Sequence, residues 1–232
     1  MVDNPPIINS MKTIALITSR WNSKRLPGKA LKMIGSKPLL QHVYDRVIQH
    51  TQAVVVTTSE SQPIIAYCSD KLIPVFVSNN SFIDEENLIQ RMVQAGIHFE
   101  AERVLRVWGD CPFLDHDIIE GVLSYKVGYV HPINTTNGLI VTSYNQNSFM
   151  RLYSLMTEGD KWHWNDIDEM SGWEKYGFLV TNLDLAMQYH KIRGLNINYQ
   201  SDLDDANYAV RIYGENLSYK NLIEMYKEQK YE

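Results

Sequence analysis

A short stretch near the amino terminus carries four cations and no acid. It directly follows the apolar run Ile14-Ala-Leu-Ile17, which is typical of a buried strand. We therefore expect the stretch to be the loop after the first strand, where its cations suit a strongly anionic ligand, best a triphosphate. The alternative is a surface loop with solvated charges. Its sequence is Ser19-Arg20-Trp-Asn-Ser23-Lys24-Arg25-Leu-Pro-Gly28-Lys29.

Neither common glycine-rich phosphate motif is present in this basic loop. The Walker motif ends in Gly-Lys-Ser/Thr and the dinucleotide motif needs three glycines, whereas here Gly28 is followed by Lys29-Ala30. The phosphates would therefore be held mainly by side chains, with backbone N–H groups of the loop assisting.

A second candidate is Asp110, which lies between Gly109 and Cys111-Pro112 after the apolar run Val104-Leu-Arg-Val107. An aspartate in such a turn is either a turn former or a ligand. As a ligand, its carboxylate would hold Mg²⁺ against phosphate oxygens, because this hard dication prefers oxygen and takes few ligands from protein.

Two further stretches have both a structural and a functional interpretation. Thr58 and Ser59 follow a β-branched run, and their hydroxyl groups either bind a base or ribose or belong to an ordinary turn. Near the carboxyl end, Ser201 or Asp202 can cap a helix that follows a predicted strand.

The basic loop resembles the signature loop of the sugar-activating cytidylyltransferases, the group of the CMP-Kdo and CMP-sialic acid synthetases, and within it the spore-coat polysaccharide F-type relatives. The stretch Val-Trp-Gly-Asp110-Cys-Pro-Phe-Leu resembles the family's second motif, in which the aspartate is a metal and nucleotide ligand. The stretch around Asp202 is similar to Val-Asp-Thr-Pro-Glu-Asp-Leu, whose first aspartate binds metal. Counting back from Val210-Arg211 aligns that aspartate with Asp202.

The resemblance implies a role for each of these residues. The cations of the loop would neutralise the β- and γ-phosphates of CTP, Ser23 would donate a hydrogen bond, and Asp110 and Asp202 would share one Mg²⁺. The implied catalytic residues are Arg20, Lys29 and Asp110. The implied nucleotide-binding residues are Ser19, Arg20, Ser23, Arg25, Gly28, Lys29, Thr58, Ser59, Trp108 and Asp110. Arg91 matches a family arginine or is a solvated helix residue.

The implied reaction is attack of an acceptor oxygen on the α-phosphate of CTP with loss of pyrophosphate. The acceptor would be an acidic sugar for surface polysaccharide biosynthesis, or a phosphorylated compound that gives a CDP-linked product. A GT-A-type glycosyltransferase is an alternative that normally shows Asp-x-Asp after a central strand, a spacing found here only at Asp202-Leu-Asp204. A nucleotide-binding protein without catalysis is the third interpretation.

Apolar runs of four to six residues alternate with segments of helical spacing over residues 13–123. This alternation predicts an α/β fold with a mostly parallel sheet and helices on both faces, and the resemblance makes it a Rossmann-like nucleotidyltransferase fold related to GT-A enzymes. Strands are expected at residues 14–17, 53–57, 74–77 and 104–107. The helices are expected to carry residues 40–47, 64–72, 88–93 with Asp84 as cap, and 118–123 with Asp115 as cap.

The pattern changes after about residue 127. Asn137-Gly138 is a strong hairpin turn signal, and the resemblance makes residues 128–182 an inserted region for the acceptor and for a homodimer contact. The segment from Trp162 to Trp173 either packs its aromatic side chains locally or contacts the acceptor or a second subunit. Residues 1–10 are expected to be a tail and residues 11–232 a single domain with a small inserted β-hairpin region.

Composition excludes several classes of protein. The chain has 232 residues, of which 44% are hydrophobic, enough for one α/β domain with a sizeable core. A net charge of −5 argues against nucleic acid as a partner. No apolar run approaches the ~20 residues that span a bilayer, and no signal peptide is recognisable. Cys68 and Cys111 are too few for a disulfide scaffold, so a cytoplasmic location is expected.

Overall fold

The computed structural model describes residues 11–78, 88–126, 128–133, 138–157, 179–184 and 195–228. The strands are β1 Thr13–Thr18, β2 Met33–Ile34, β3 Lys37–Pro38, β4 Gln52–Thr58, β5 Val75–Ser78, β6 Arg103–Trp108, β7 Tyr129–Ile133, β8 Val141–Asn145 and β9 Val180–Asp184. The helices are α1 Leu39–Val47, α2 Gln62–Asp70, α3 Leu88–His98, α4 His116–Ser124, α5 Gln146–Thr157, α6 Gln200–Tyr213 and α7 Tyr219–Glu228. A 3-10 turn covers Lys29–Leu31.

Seven of the strands form one sheet in the order β5-β4-β1-β6-β8-β7-β9, and β2 pairs with β3 as a separate hairpin. The first four strands of this order are parallel, with Thr18 at the end of β1 opposite Val56 on one side and Trp108 on the other. Strand β8 runs antiparallel to β6 and β7, and β9 is parallel to β7. The carboxyl ends of β1, β4 and β6 therefore lie at one edge, as the βαβ pattern predicts.

The core lies on both faces of this sheet because successive strand side chains point to opposite sides. In β1, Ala15 and Ile17 belong to a buried cluster that includes α1 and α6, whereas Ile14 and Leu16 belong to a second cluster with α3 and α5. The predicted α/β fold with helices on both faces is confirmed.

The helix predictions hold with one correction, which concerns the end of α2. Asp115 caps α4 as expected, since its Oδ1 accepts a hydrogen bond from the Asp117 N–H at 3.0 Å. Helix α2 ends at Asp70, and Leu72 lies beyond it with a φ of 55° and 89% exposure, so it is not part of the helix. Arg91 is fully buried in α3, which excludes the solvated alternative. The predicted cap Asp84 lies outside the described residues.

The second half of the chain extends the main sheet through β7, β8 and β9. The predicted turn residue Asn137 and the tryptophans of residues 162–173 lie outside the described residues. The division into a tail, a domain and an insert stays a prediction. Within the part of the chain that the structure describes, every helix is too short or too polar to cross a bilayer.

Candidate active site

The basic loop that follows β1 folds back on Trp21. The Trp21 carbonyl accepts hydrogen bonds from the N–H groups of Ser23 at 2.9 Å and Gly28 at 3.2 Å. The backbone N–H of Trp21 donates to Ser61 Oγ at 3.0 Å. Gly28 has a φ of 67°, and a Cβ there would lie 2.9 Å from the Trp21 ring. Only glycine suits both this backbone and this contact. The loop is thus a compact turn that holds its cations in place.

Gly109 joins the end of β6 to the basic loop. Its N–H donates to the Thr18 carbonyl at 2.9 Å. A Cβ at Gly109 would lie 2.6 Å from that carbonyl oxygen and 3.0 Å from Ser19 Cβ, so a side chain here would separate the two strand ends. This close approach places Asp110, the next residue, beside the loop.

Lys29 and Asp110 form an ion pair in this corner. The Lys29 Nζ lies 2.6 Å from Asp110 Oδ2, and the two side chains are 15% and 21% exposed. The ammonium also donates to the Ile197 carbonyl oxygen at 2.9 Å and to Asn198 Oδ1 at 3.3 Å. All three of its N–H donors therefore have an acceptor. The structure thus brings the basic loop into contact with Asp110, which is 81 residues away from Lys29 in the sequence.

Asn198 is a site residue that the sequence analysis did not identify. Its Oδ1 accepts a hydrogen bond from Arg25 Nη2 at 2.6 Å as well as the bond from Lys29. The Arg25 guanidinium also lies 5.4 Å from the centre of the Tyr199 ring. A neutral asparagine outside helices and strands carries no sequence signal for such a role, and its contact with Lys29 spans 169 residues.

Asp202 caps a helix in this structure. Its Oδ2 accepts hydrogen bonds from the N–H groups of Asn198 and Tyr199, both at 2.8 Å. Helix α6 begins at Gln200 with Tyr199 as the N-cap residue. Of the two predicted capping residues, Asp202 does cap the helix, from the third helical position instead of the N-cap position.

The predicted strand before α6 was wrong. Residues 195–199 have no strand structure. This segment is connected to the loop after β6 by a hydrogen bond from the Ile197 N–H to the Asp110 carbonyl oxygen at 2.9 Å. The role of Asp202 as a ligand of a metal ion shared with Asp110 stays a prediction.

The other predicted nucleotide-binding residues lie around the same edge. Arg20 is half-buried and, among the described residues, has no hydrogen bond or ion pair. Ser19 and Ser23 are buried; the Ser19 N–H donates to the Val56 carbonyl at 3.1 Å, and Ser23 Oγ accepts the Leu26 N–H at 3.4 Å. Because the Arg20 guanidinium has no partner among the described residues, it is available to bind an incoming anion.

The hydroxyl pair and the tryptophan lie at the ends of β4 and β6. Thr58 is buried with its Oγ1 3.4 Å from Ser61 Oγ, whereas Ser59 is exposed. The Trp108 ring is covered by the Arg106 guanidinium, whose central carbon lies 3.9 Å from the ring centre. The structure thus places these residues near the basic loop, and a contact of Thr58, Ser59 or Trp108 with a base stays a prediction.

Cys111 contributes a second contact to Asp110. Its Sγ lies 3.6 Å from Asp110 Oδ1. Burial raises the pKa of the Cys111 thiol well above its usual value, with the negative charge of Asp110 as a further cause. The thiol therefore stays protonated at neutral pH and donates to the carboxylate.

The donor atoms of the corner suit Mg²⁺. Asp110, the Ile197 carbonyl and Asn198 all present oxygen, which this ion prefers. In the described part of the chain, no group of three or more His, Cys, Asp or Glu side chains is placed to hold a metal. Because Mg²⁺ commonly binds one or two carboxylates and takes its other ligands from water and substrate phosphates, the corner fits an ion held jointly with a nucleotide.

Curated relatives match about half of the sequence. The 3-deoxy-manno-octulosonate cytidylyltransferase 2 of Hydrogenovibrio crunogenus is 32% identical over 118 residues, which cover 49% of this chain and 46% of the relative. The 3-deoxy-manno-octulosonate cytidylyltransferase of Synechococcus elongatus is 27% identical over 132 residues, with coverages of 55% and 52%. The chain thus spans about half the length of these relatives.

Solved structures share the fold over most of the chain. A cytidylyltransferase from Leptospira borgpetersenii superposes with a TM-score of 0.77 at 20% identity and covers 95% of this chain and 96% of its own. A CMP:2-keto-3-deoxy-manno-octonic acid synthetase complexed with CTP superposes with a TM-score of 0.65 at 15% identity, with coverages of 86% and 98%.

The family model named Cytidylyltransferase matches residues 14–149. The matched region includes the basic loop and Asp110, the two features that meet at the carboxyl edge of the sheet. Since the match covers more than half of the 232 residues, this chain belongs to the cytidylyltransferase family.

Proposed function

We propose that the protein transfers CMP from CTP to an acidic sugar and releases pyrophosphate. The observation that carries this proposal is the contact of Lys29 with Asp110, which joins the basic loop to the carboxylate at the carboxyl edge of the sheet. A parallel sheet binds its ligands at that edge. The half-buried Arg20 and the exposed Arg25 lie in the same loop as Lys29, so this loop offers several cations to an anionic ligand.

The chemistry requires stabilisation of negative charge on the departing pyrophosphate. Arg20, Arg25 and Lys29 would contact the β- and γ-phosphates, and Ser23 would donate a hydrogen bond from its hydroxyl group. Cations that are already positioned by the fold lose little free energy to reorganisation during the reaction. Phosphoryl and nucleotidyl transfers depend largely on such positioning and charge stabilisation.

Mg²⁺ would be held by Asp110, and the resemblance adds Asp202 as a second ligand. When bound, the ion would polarise the α-phosphate and lower the pKa of the attacking hydroxyl group. The residues of the chain orient the nucleotide around it. The capping bonds of Asp202 to two backbone N–H groups compete with a role as a metal ligand, so we expect Asp110 to dominate the binding of the ion.

The acceptor is proposed from the relatives. Two of them are named as cytidylyltransferases of 3-deoxy-manno-octulosonate, an acidic sugar. We extend this substrate class to the present chain, with residues 128–182 as the acceptor region and homodimer contact. A role in surface polysaccharide biosynthesis and the closer likeness to spore-coat relatives belong to the same proposal.

The test is a nucleotide screen. Purified protein with Mg²⁺ is incubated with CTP, ATP, GTP or UTP and a panel of acidic sugars and phosphorylated polyols, and pyrophosphate release is measured. We expect release from CTP with an acidic sugar, and much slower release from the matched Asp110→Asn variant at the same Mg²⁺ concentration. Turnover of a UDP- or GDP-sugar without any use of CTP would instead support the glycosyltransferase alternative.

A further inference from the structure

Three oxygen atoms from distant parts of the chain surround the ammonium group of Lys29. They are Asp110 Oδ2 at 2.6 Å, the Ile197 carbonyl oxygen at 2.9 Å and Asn198 Oδ1 at 3.3 Å. The Ile197 N–H is itself bonded to the Asp110 carbonyl at 2.9 Å, which fixes the two segments relative to each other. This arrangement is an oxygen-lined position for one cation.

A lysine and a divalent ion cannot share this position. Both would be in contact with Asp110 Oδ2, and two cations at such a separation repel strongly in a partly enclosed site. The three donors of the ammonium are all in use, so Lys29 can reach a phosphate only by giving up one of these acceptors. A triphosphate supplies new acceptors and negative charge for the displaced ammonium.

We propose that Lys29 occupies the metal position at Asp110 in the nucleotide-free protein, and that it moves to the phosphates when a nucleotide brings the divalent ion. This inference rests on the proposed function for the identity of the nucleotide. It adds an order of events: the free ion binds poorly because Lys29 holds its place, and the ion and the nucleotide bind with positive coupling.

Asn198 makes this exchange feasible. Its amide oxygen accepts hydrogen bonds from both Lys29 and Arg25. Because the amide is uncharged, Asn198 positions the two cations without neutralising them, and their charge stays available for phosphates. A carboxylate at this position would bind the ammonium more strongly and also attract a free divalent ion. Asp110 is then the single carboxylate in contact with Lys29 among the described residues.

The exchange is tested by Mn²⁺ binding without nucleotide, measured by electron paramagnetic resonance. Lys29→Met removes the competing charge and keeps most of the side-chain length, so its affinity for Mn²⁺ should rise by about tenfold or more over the parent. Lys32→Met is the matched control, because Lys32 lies three residues after Lys29 and carries the same charge. Among the described residues, the Lys32 side chain has no ion pair. It should bind Mn²⁺ as the parent does.

The location of the gained site is tested in the double variants. Asp110→Asn added to Lys29→Met should abolish the gain, and Asn198→Asp added to Lys29→Met should increase it. Equal affinities for the parent and Lys29→Met, or an equal rise in Lys32→Met, would overturn the proposal. Lys29→Gln is measured in parallel, with circular dichroism to show that each variant is folded.

The movement of Lys29 to the phosphates has its own measurement. Calorimetry with a CTP analogue that has a methylene group between the α- and β-phosphorus atoms should show weaker binding to Lys29→Met, by about tenfold. Undiminished binding would contradict the movement. If the analogue fails to bind the parent protein, the proposed function is wrong, whereas the Mn²⁺ result stands or falls without any nucleotide.

Discussion

Arg20 and Lys29 belong to the same loop, but the structure surrounds them differently. Lys29 has three oxygen acceptors and is mostly buried, so its removal would disturb the folded structure as well as ligand binding. Arg20 is half-buried and, in the described ranges, has no hydrogen bond or ion pair. Arg20 is therefore the better residue for measuring the contribution of the loop to catalysis alone.

We expect Arg20→Ala to lower kcat/KM for CTP by about 10²-fold or more, because a positioned cation acts on charge that develops in the transition state. The melting temperature should stay close to that of the parent, since no partner in the described structure is lost. Steady-state kinetics and thermal unfolding measure the two effects. Lys32→Ala is the charge-matched control; a fully active Arg20→Ala variant would show that the loop is structural.

Asp110 and Asp202 should respond differently to replacement by asparagine. Asp110→Asn removes the carboxylate that contacts Lys29 and should raise the Mg²⁺ concentration needed for half-maximal rate. Asp202→Asn weakens a helix cap and should cost about 0.5–2 kcal/mol of stability with the same Mg²⁺ dependence as the parent. Mg²⁺ titration of the initial rate and thermal unfolding separate these effects. Equal shifts in Mg²⁺ dependence, with combined effects smaller than additive, would instead make Asp202 a ligand of the same ion.

At the scale of elements, the ends of β1 and β6 can approach closely because Gly109, at their junction, has no side chain. A Cβ at Gly109 would lie 2.6 Å from the Thr18 carbonyl oxygen, which is backbone and cannot rotate away. The parallel register sets Thr18 opposite Trp108, so any displacement at Gly109 also moves Asp110 relative to Lys29. The junction thus links sheet packing to site geometry.

Gly109→Ala should therefore reduce both stability and activity. We expect a loss of about 1–3 kcal/mol in the free energy of unfolding, typical of forcing atoms into a packed position, together with a lower kcat for CTP. Denaturant unfolding and kinetics provide the measurements. Gly121→Ala in α4 is the control, because its Cβ would meet the flexible Leu183 side chain at 3.0 Å. Unchanged stability of Gly109→Ala would show that the junction can open without cost.

At the scale of the whole molecule, buried histidines link stability to pH. His42 in α1 is 4% exposed and bonded through Nε2 to the Ile34 carbonyl at 2.7 Å. Burial lowers the pKa of His42 below its ordinary value of 6.5. Burial, followed by the neighbouring His116, likewise lowers the pKa of His50. In both cases the folded protein favours the neutral imidazole.

The sign of the pH effect follows from these directions. The stabilisation is complete above the unfolded pKa of about 6.5 and is lost as the pH falls toward the lower folded pKa. Between about pH 7.5 and 5.5 we expect the free energy of unfolding to fall, by at most about 1.4 kcal/mol per pH unit for each histidine.

Denaturant unfolding at several pH values measures this fall. His42→Gln, whose amide nitrogen can replace Nε2 as the donor to Ile34, should show a smaller decrease. His98→Gln, on an exposed position of α3, serves as the control. A flat profile for the parent, or the same decrease in His42→Gln, would contradict the assignment.

The sequence by itself determined the layered α/β fold and the end of the sheet at which the site lies. Apolar runs and helical spacing are local patterns, and the carboxyl ends of parallel strands must meet at one edge, so the basic loop and Asp110 could be placed together in advance. Only the tertiary structure decided which atoms the cations contact. Asn198 is uncharged and lies 169 residues from Lys29, and the capping bonds of Asp202 depend on where α6 begins. Such contacts arise from the packing of distant segments, which leaves no periodic pattern in the sequence to reveal them.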